Sequence, residues 1–436
     1  MATVPNLGTG GSVLDAQFGS SPSPNTNEPL QLTHTGENYL FQPGANGNAA
    51  SVESIAGYDI AGDLELVVDF ALVDATAINM HFLTRDHSSG SLRIWYFTFG
   101  STKTPQIVWF DSGGTVRVAT SASAITLADN ERITLKVTLD VDNGAGGNTV
   151  VFSRASSPTG TFTTISTVTQ AFTTSIRTGQ TVRIATGVSN SNTLAAPAAM
   201  QVYRAIVRNG IGGTAVLDMN FTTGITSGAQ ATFTESSSNA ATVTINRSSS
   251  GRKSVAVVRP VFLLGTDDYF EVADNDLLDF GLTDSFTVWC VYSNWSTLVR
   301  NVGLVAKKQD TGTGNAGWVL YQLDSGPQAT AMIGDGTNRP YVDGGNAGSA
   351  GVARMSAMVR DVAADNVIAY SRVGSASALT SDNTTATIAN ALAMRIGRFA
   401  GAGTAYADIE LIAAGVHRRA LSATELAQIA AYYGVA

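Results

Sequence analysis

Apolar and polar side chains alternate with a period of two over much of this chain. Ile133, Leu135, Val137, Leu139 and Val141 fall on one side, and Thr134, Lys136, Thr138 and Asp140 on the other. That pattern predicts an antiparallel strand with one buried face. Residues 63–70 read alike, with Leu64, Leu66, Val68 and Phe70 inward and Asp63, Glu65 and Asp69 outward. In residues 201–210, Val202, Arg204, Ile206 and Arg208 share one face, with Tyr203, Ala205 and Val207 on the other. The segment from Val367 reads as a further short strand. Glycine-bearing turns at 111–114, 142–144, 334–336 and 343–345 supply the positive φ angles that hairpins need. Many short strands at regular spacing predict an all-β sandwich or jelly roll.

One helix breaks the pattern. Ser422 is placed as its N-cap and Glu425 completes a capping box. Leu421 and Leu426 form a hydrophobic staple, and Leu426, Ile429, Ala430 and Tyr433 make one apolar face. Gly434 stops the helix, which is expected over 422–433 and docked on the second sandwich.

The chain also repeats itself. Val13-Leu14-Asp15 with Phe18 returns as Val216-Leu217-Asp218 with Phe221, each after a Gly-Gly pair. A Gly-x-x-Tyr segment at Gly36 returns at Gly265. The long strand from Asp63 returns from Ser285, and Arg183-Ile184 returns as Arg395-Ile396. This order predicts two tandem domains of one fold, 1–212 and 213–436. The Ser/Thr-rich stretch from Thr222 to Ser254 reads as a linker or as strands opening the second domain, and the alternation at Thr242–Ile245 favours strands.

Composition narrows the function. Apolar residues make up 44% of 436, enough for two cores. Charged residues are 14%, against about 25% in an average soluble domain. Hydroxyls and amides must therefore cover the surface, as on extracellular or virion β-proteins. The net charge is −8 and no basic stripe exists, which argues against nucleic acid. No apolar run reaches membrane-spanning length. The opening MATVPNLGTGGS has neither a basic nor an apolar signal region, so no signal peptide is expected. The sole cysteine, Cys290, reads as a small buried hydrophobe.

The second half resembles laminin G-like, concanavalin A-like modules. The residues that carry this are GTDDYFEVADNDLLDFGLTDSFTVWCVYSNW from Gly265, LVAKKQDTGTGNAGWVLYQL from Leu304, and LAMRIGRFAGAGTAYADIELIAAGVHRRALSATELAQIAAYYG from Leu392. The first half matches more loosely and lacks the closing helix. The resemblance implies two tandem antiparallel β-sandwiches of jelly-roll type. Tandem copies without a signal segment look like bacteriophage minor tail or capsid decoration proteins. The expectation is a non-enzymatic virion protein, made in the host cytoplasm, on the particle exterior. Its partners would be other virion proteins, a second copy of itself and host-surface glycans. The alternatives are a secreted bacterial carbohydrate-binding or adhesion protein and a polysaccharide-active glycoside hydrolase.

Candidate chemistry is sparse. Sugars stack on exposed rings, which singles out Trp95, Tyr96 and Trp109 in the first domain and Trp318, Tyr321, Arg339 and Tyr341 in the second. Trp289 reads as core. A glycosidase would need paired carboxylates. Asp63, Glu65 and Asp69 read instead as solvent-facing, and Asp408 and Glu410 as solvent-facing or paired with Arg395, Arg398 or Arg418. No cofactor is expected. Calcium at a rim formed by Asp267, Asp268, Asp274, Asp276, Asp335 and Asp343 is the option left open. His34, His81, His87 and His417 have no metal-ligand spacing.

Overall fold

The structure, a computed structural model, describes residues 3–4, 16–18, 30–44, 47–77, 80–86, 93–180, 183–187, 199–228, 230–247, 253–265, 268–294, 301–323, 328–345, 352–375, 377–401 and 406–435. It divides into two compact units. One is His34–Arg259; the other joins Met1–Thr33 to Pro260–Ala436.

The strands run in chain order as follows. The leading segment carries β1 (Thr3–Val4), β2 (Ala16–Phe18) and β3 (Leu30–Leu32). The first body carries β4 (Tyr39–Pro43), β5 (Ala49–Val52), β6 (Leu64–Leu72), β7 (His81–Asp86), β8 (Trp95–Phe99), β9 (Pro105–Phe110), β10 (Val116–Thr120), β11 (Arg132–Asp140), β12 (Asn148–Ala155), β13 (Thr163–Gln170), β14 (Arg183–Gly187), β15 (Ala199–Asn209) and β16 (Thr214–Asn220). One helical turn, α1 (Phe221–Gly224), leads to β17 (Thr232–Thr234), β18 (Thr242–Asn246) and β19 (Val255–Val257). The second body carries β20 (Val261–Leu264), β21 (Phe270–Val272), β22 (Phe286–Asn294), β23 (Val302–Ala306), β24 (Ala316–Gln322), β25 (Ala329–Asp335), β26 (Tyr341–Asp343), β27 (Arg354–Asp361), β28 (Asn366–Tyr370), β29 (Ala378–Ser381), β30 (Met394–Ile396) and β31 (Ile409–His417), then α2 (Ala423–Tyr432).

Among the described residues each unit is a sandwich of two antiparallel sheets with matching strand order. In the first unit β10-β9-β8-β7-β14-β5-β18-β17 faces β13-β12-β11-β6-β15-β4-β19, with β16 also on β15. In the second β26-β25-β24-β23-β30-β21-β2-β1 faces β29-β28-β27-β22-β31-β20-β3. The chain is therefore all-β with one closing helix, as the alternation predicts.

Two repeat markers hold in space. The long strands β6 and β22 occupy one place, and the Arg-Ile strands β14 and β30 another. Of the other two, Val13-Leu14-Asp15 lies outside the described residues; Phe18 ends β2, which lies on β21, whereas β16, which carries Val216-Leu217-Asp218, lies on β15. The Gly36 segment enters β4 and the Gly265 segment enters β21, which stand in different sheets.

The expected boundary at 212/213 moves to 259/260. Gly212-Gly213 does not open a domain. It is the hairpin turn that folds β16 back on β15, with Gly210 and Gly212 at φ 84° and 65°. A Cβ on Gly213 would lie 2.0 Å from the Asn209 carbonyl oxygen, so glycine is required there. The Thr222–Ser254 stretch does form strands, but β17, β18 and β19 pair within the first unit.

A bulge also corrects the facing of residues 201–210. Val202 pairs with Phe70 and Arg204 with Asp69, so Tyr203 is extra and the alternation shifts phase. Val202, Ala205 and Val207 all enter the core, while Arg204 stays outside.

Aromatic contacts fill the two cores. Phe82 packs against Phe70 and Phe99, each at 4.6 Å, and Phe280 stacks on Phe286 at 4.1 Å. Across the first core the Gln42 amide donates to the Thr186 hydroxyl at 2.7 Å, tying sheet to sheet. The outer face of the β22-containing sheet is covered by α2. Leu426 and Ala430 pack with Trp289, Val291, Met355, Ala357 and Val359. The Ser422–Glu425 capping box forms as expected, and Gly434 takes φ 65°. Trp289 lies flat against β31, where a Cβ on Gly415 would meet its ring at 2.5 Å. Gly415→Ala should therefore overpack this layer and cost about 1–3 kcal/mol. Chemical denaturation should show the lower midpoint with the fold retained.

Candidate functional site

The predicted glycan-contact residues separate by burial. Trp95, Trp109, Trp318 and Tyr321 are 1%, 0%, 1% and 3% exposed. A buried ring has no face left for a sugar, so these four are corrected to packing residues. Trp109 donates its indole N–H to Thr174 Oγ1 at 3.1 Å, and Trp318 donates to the Leu278 carbonyl at 3.1 Å. Tyr321 packs on Phe399 at 5.8 Å, and burial pushes its phenol up to about 12.

Tyr96, Arg339 and Tyr341 remain at the surface. Tyr96 is half-buried on β8 and meets the His81 ring edge-on at 5.0 Å. It stands in a cross-strand row of the first unit: Thr232, Thr244, Ser51, Ala185, Thr84, Tyr96, Val108 and Val118. Small and hydroxyl-bearing residues dominate that row.

Tyr341 is 50% exposed on β26, at the end of its sheet. Strand alternation puts Asp343 on its face and turns Val342 toward the core. Tyr341 pairs with Met332 and Asp343 with Thr330, whose hydroxyl donates to the Asp343 carboxylate at 2.7 Å. The Arg339 guanidinium sits 5.2 Å from the Tyr341 ring centroid. Among the described residues Arg339 makes no ion pair; its Nη1 donates to the Thr311 carbonyl.

Two devices hold this corner. Asp335 accepts from the backbone N–H groups of Thr337 (2.8 Å), Asn338 (2.5 Å) and Thr385 (2.7 Å). Burial opposes its ionisation, and these hydrogen bonds outweigh that, so its carboxyl titrates well below the usual range. The turn it organises delivers Arg339. Beneath, Lys308 is fully buried and donates to the carbonyls of Gly312 (2.9 Å) and Asn315, fixing the loop that presents Thr311. Burial lowers its ammonium to about 8.

Sequence reasoning missed a second cation–aromatic group. Arg398 lies 4.8 Å from the Tyr269 ring and 4.7 Å from the Tyr406 ring. Arg395 covers Tyr269 at 5.1 Å and pairs with Glu271 at 2.8 Å. Both arginines donate to the Gly401 carbonyl. The Arg-x-x-Arg spacing across the Gly-rich turn was the available signal. At 8% exposure Arg398 acts as packing.

The carboxylates expected to face solvent are engaged. Asp69, 1% exposed, pairs with Arg132 at 2.7 Å, and Glu65 pairs with Arg208 at 3.2 Å. Asp63 accepts the Val141 N–H at 3.0 Å. Glu410 is buried and accepts from Ser293 Oγ at 2.6 Å. Of the calcium candidates, Asp274 pairs with Lys307 at 2.7 Å, and buried Asp268 accepts the Gly265 N–H at 2.8 Å. Asp267 lies outside the described residues, as does His87. No group of three or more metal-ligating side chains is found among the described residues. Cys290 is fully buried, and burial pushes its thiol up. No described helix is long and apolar enough to cross a membrane.

No protein-family model matches the chain, and no curated protein does. Among solved structures, it is similar to the binding domain of Paraclostridial Mosquitocidal Protein 1, at TM-score 0.33 and 15% identity. That match covers 41% of this chain and 44% of the other, so this chain spans less than half of it. It is similar to the Ruminococcus gnavus IT-sialidase CBM40 bound to alpha2,3 sialyllactose, at TM-score 0.29 and 16% identity, over 35% of this chain and 91% of that one. It is also similar to domains LG4-5 of the mouse laminin alpha1 chain, at TM-score 0.29 and 9% identity, over 92% and 96%. In class the chain is a pair of antiparallel jelly-roll sandwiches closed by one helix.

The His81–Tyr96 contact carries a pH dependence. Burial, then the nearby Arg93 charge, lowers His81 from 6.5 to about 4. A depressed folded value favours the unfolded state on protonation, so stability is full above pH 6.5 and is lost as pH falls toward 4. His81→Phe should flatten the fall of the unfolding midpoint across that window. An unchanged slope would remove His81 from the account.

Proposed function

We propose that this chain is a non-catalytic binding protein that contacts glycans at the Tyr341–Arg339–Asp343 corner. One observation carries the reading: a half-exposed tyrosine stands beside a stacked guanidinium and an exposed carboxylate on a rigid strand end. A sugar ring stacks on the phenol, its hydroxyls donate to Asp343, and a polar or acidic substituent meets Arg339. A non-catalytic role is supported by the engagement of Asp63, Glu65, Asp69 and Glu410 in ion pairs and hydrogen bonds.

The setting proposed is the exterior of a bacteriophage particle, as a minor tail or capsid decoration protein beside other virion proteins. What supports this is the 14% charge content, which leaves hydroxyls and amides to cover a solvated surface.

A glycan array with the whole chain tests the binding. Tyr341→Ala and Arg339→Ala should each weaken the best ligand by roughly tenfold, with circular dichroism unchanged. Equal binding by all three proteins would sink this corner as the site. Mass spectrometry of purified particles tests the setting, and absence from them would remove it.

A further inference from the structure

The sheet that carries Tyr341 is filled on its outer face right beside that residue. Strand pairing sets two rows there: Tyr341, Met332, Val319 and Ala306, and Asp343, Thr330, Tyr321 and Gly303. Trp318, Leu320 and Val342 point the other way, into the core. Tyr341 is 50% exposed, yet Met332, one strand further in, is 1% exposed, and Val319, Tyr321 and Thr330 are buried. Alternation turns these residues away from the core, so their burial comes from a cover on the outer face.

Among the described residues that cover is formed by residues 397–401, which follow β30. Their backbone lies on Gly303, where a Cβ would stand 2.6 Å from the Arg398 carbonyl carbon and 2.9 Å from the Phe399 nitrogen. Phe399 sets its ring against the Tyr321 ring at 5.8 Å and joins Tyr321, Met332, Val319 and Ala306 in one apolar cluster. The segment is pinned on both sides of Phe399. The Gly397 N–H donates to the Leu304 carbonyl at 3.0 Å, and the Ala400 N–H donates to the Lys308 carbonyl at 3.0 Å. Arg398 Nη2 donates to the Gly401 carbonyl at 3.1 Å. The phenyl ring is thereby held in place as a wall.

A sugar stacked on Tyr341 meets this filled face on one side and the Arg339 guanidinium, 5.2 Å from the ring centroid, on another. A chain laid across the strands would have to displace Phe399. We propose that Phe399 is a specificity-determining residue: its ring closes the sheet face, so the corner accepts the terminal residue of a glycan and rejects the interior of a chain. This role rests on the glycan reading of the Tyr341 corner and narrows its ligand to a class. Exclusion by a clash needs no contact with the accepted sugar, so Phe399 acts on the rejected ligand alone.

The whole chain would be tested on an array of glucose, galactose, mannose, N-acetylglucosamine and sialic acid. Each is displayed as a single sugar, as the terminal residue of a tetrasaccharide and as an interior residue. For the sugar bound best, the single and terminal forms should bind alike, and the interior form roughly tenfold more weakly. Phe399→Ala bares Tyr321 and Met332, so it should raise binding of the interior form toward that of the terminal form. The single sugar and the circular dichroism should stay unchanged. Equal binding of terminal and interior forms by the unaltered chain would overturn the proposal, as would a folded Phe399→Ala with the original preference. If Phe399→Ala fails to fold, Phe399→Leu takes its place, with the same direction of change expected. Tyr341→Ala separates this role from the reading beneath it. Interior binding by the unaltered chain that Tyr341→Ala abolishes overturns the wall alone. Binding untouched by Tyr341→Ala, or none to any form, overturns the glycan corner and the wall with it.

Discussion

A strand at the end of a sheet presents unpaired N–H and C=O groups, and some chain must cover them or the sheet will recruit one. Both units meet this constraint with the same parts. A two-stranded ribbon closes the edge beside β5 or β21, and a three-residue strand closes the edge beside β4 or β20. β19 does so with Val255, Ala256 and Val257 all buried, so the cover adds packing as well as hydrogen bonds. The unit boundary is a consequence. It falls at 259/260 because β19 completes the first sandwich before the chain leaves for β20.

With edges closed and cores filled, the few charges are largely consumed in structure. Arg360 and Asp382, 1% and 5% exposed in their side chains, pair at 2.6 Å, and Lys307 reaches both Asp274 and Asp279 at 2.7 Å. Arg132 bonds Asp69 and covers the Tyr203 ring at 3.9 Å. Buried pairs of this kind repay desolvation only when their remaining hydrogen bonds are satisfied, and they fix geometry more than they add stability. Arg360 illustrates this, donating also to the carbonyls of Gly281 and Leu282 and to the Thr384 hydroxyl. Arg339 differs in having an aromatic face and a carbonyl as its partners.

The strands were legible where alternation is unbroken. Ile133–Val137 and Leu64–Phe70 take the faces their sequence assigns, because a two-residue period leaves no other way to bury the apolar set. The helix was legible because its caps are local. Residues 201–210 were not, since a bulge at Tyr203 reverses the phase and no residue type announces it. The repeat misled at Gly36 and Gly265 because similar segments can enter strands of non-equivalent sheets; pairing partners are set by the fold. The aromatic residues misled for a related reason. Trp95, Trp109, Trp318 and Tyr321 sit near turns in sequence, but facing is decided one residue at a time, and theirs is inward or covered.

That single-residue choice also explains why Tyr341 is available. Its exposure depends on the register in which Tyr341 opposes Met332. A slip of one residue would turn Val342 outward and send the tyrosine toward the core. The register is held by the Asp335 turn, with the Ile333 N–H donating to the Pro340 carbonyl at 3.2 Å and the Asp335 N–H to Asn338 at 3.2 Å. β26 is also a terminal strand, and its three residues with Asp343 outward follow the rule that protects open edges by keeping them short and polar. The constraint that sends a ribbon to one end of this sheet thus leaves a short, polar strand at the other. An aromatic side chain on such a strand stays open to a ligand without exposing a length of edge to another sheet.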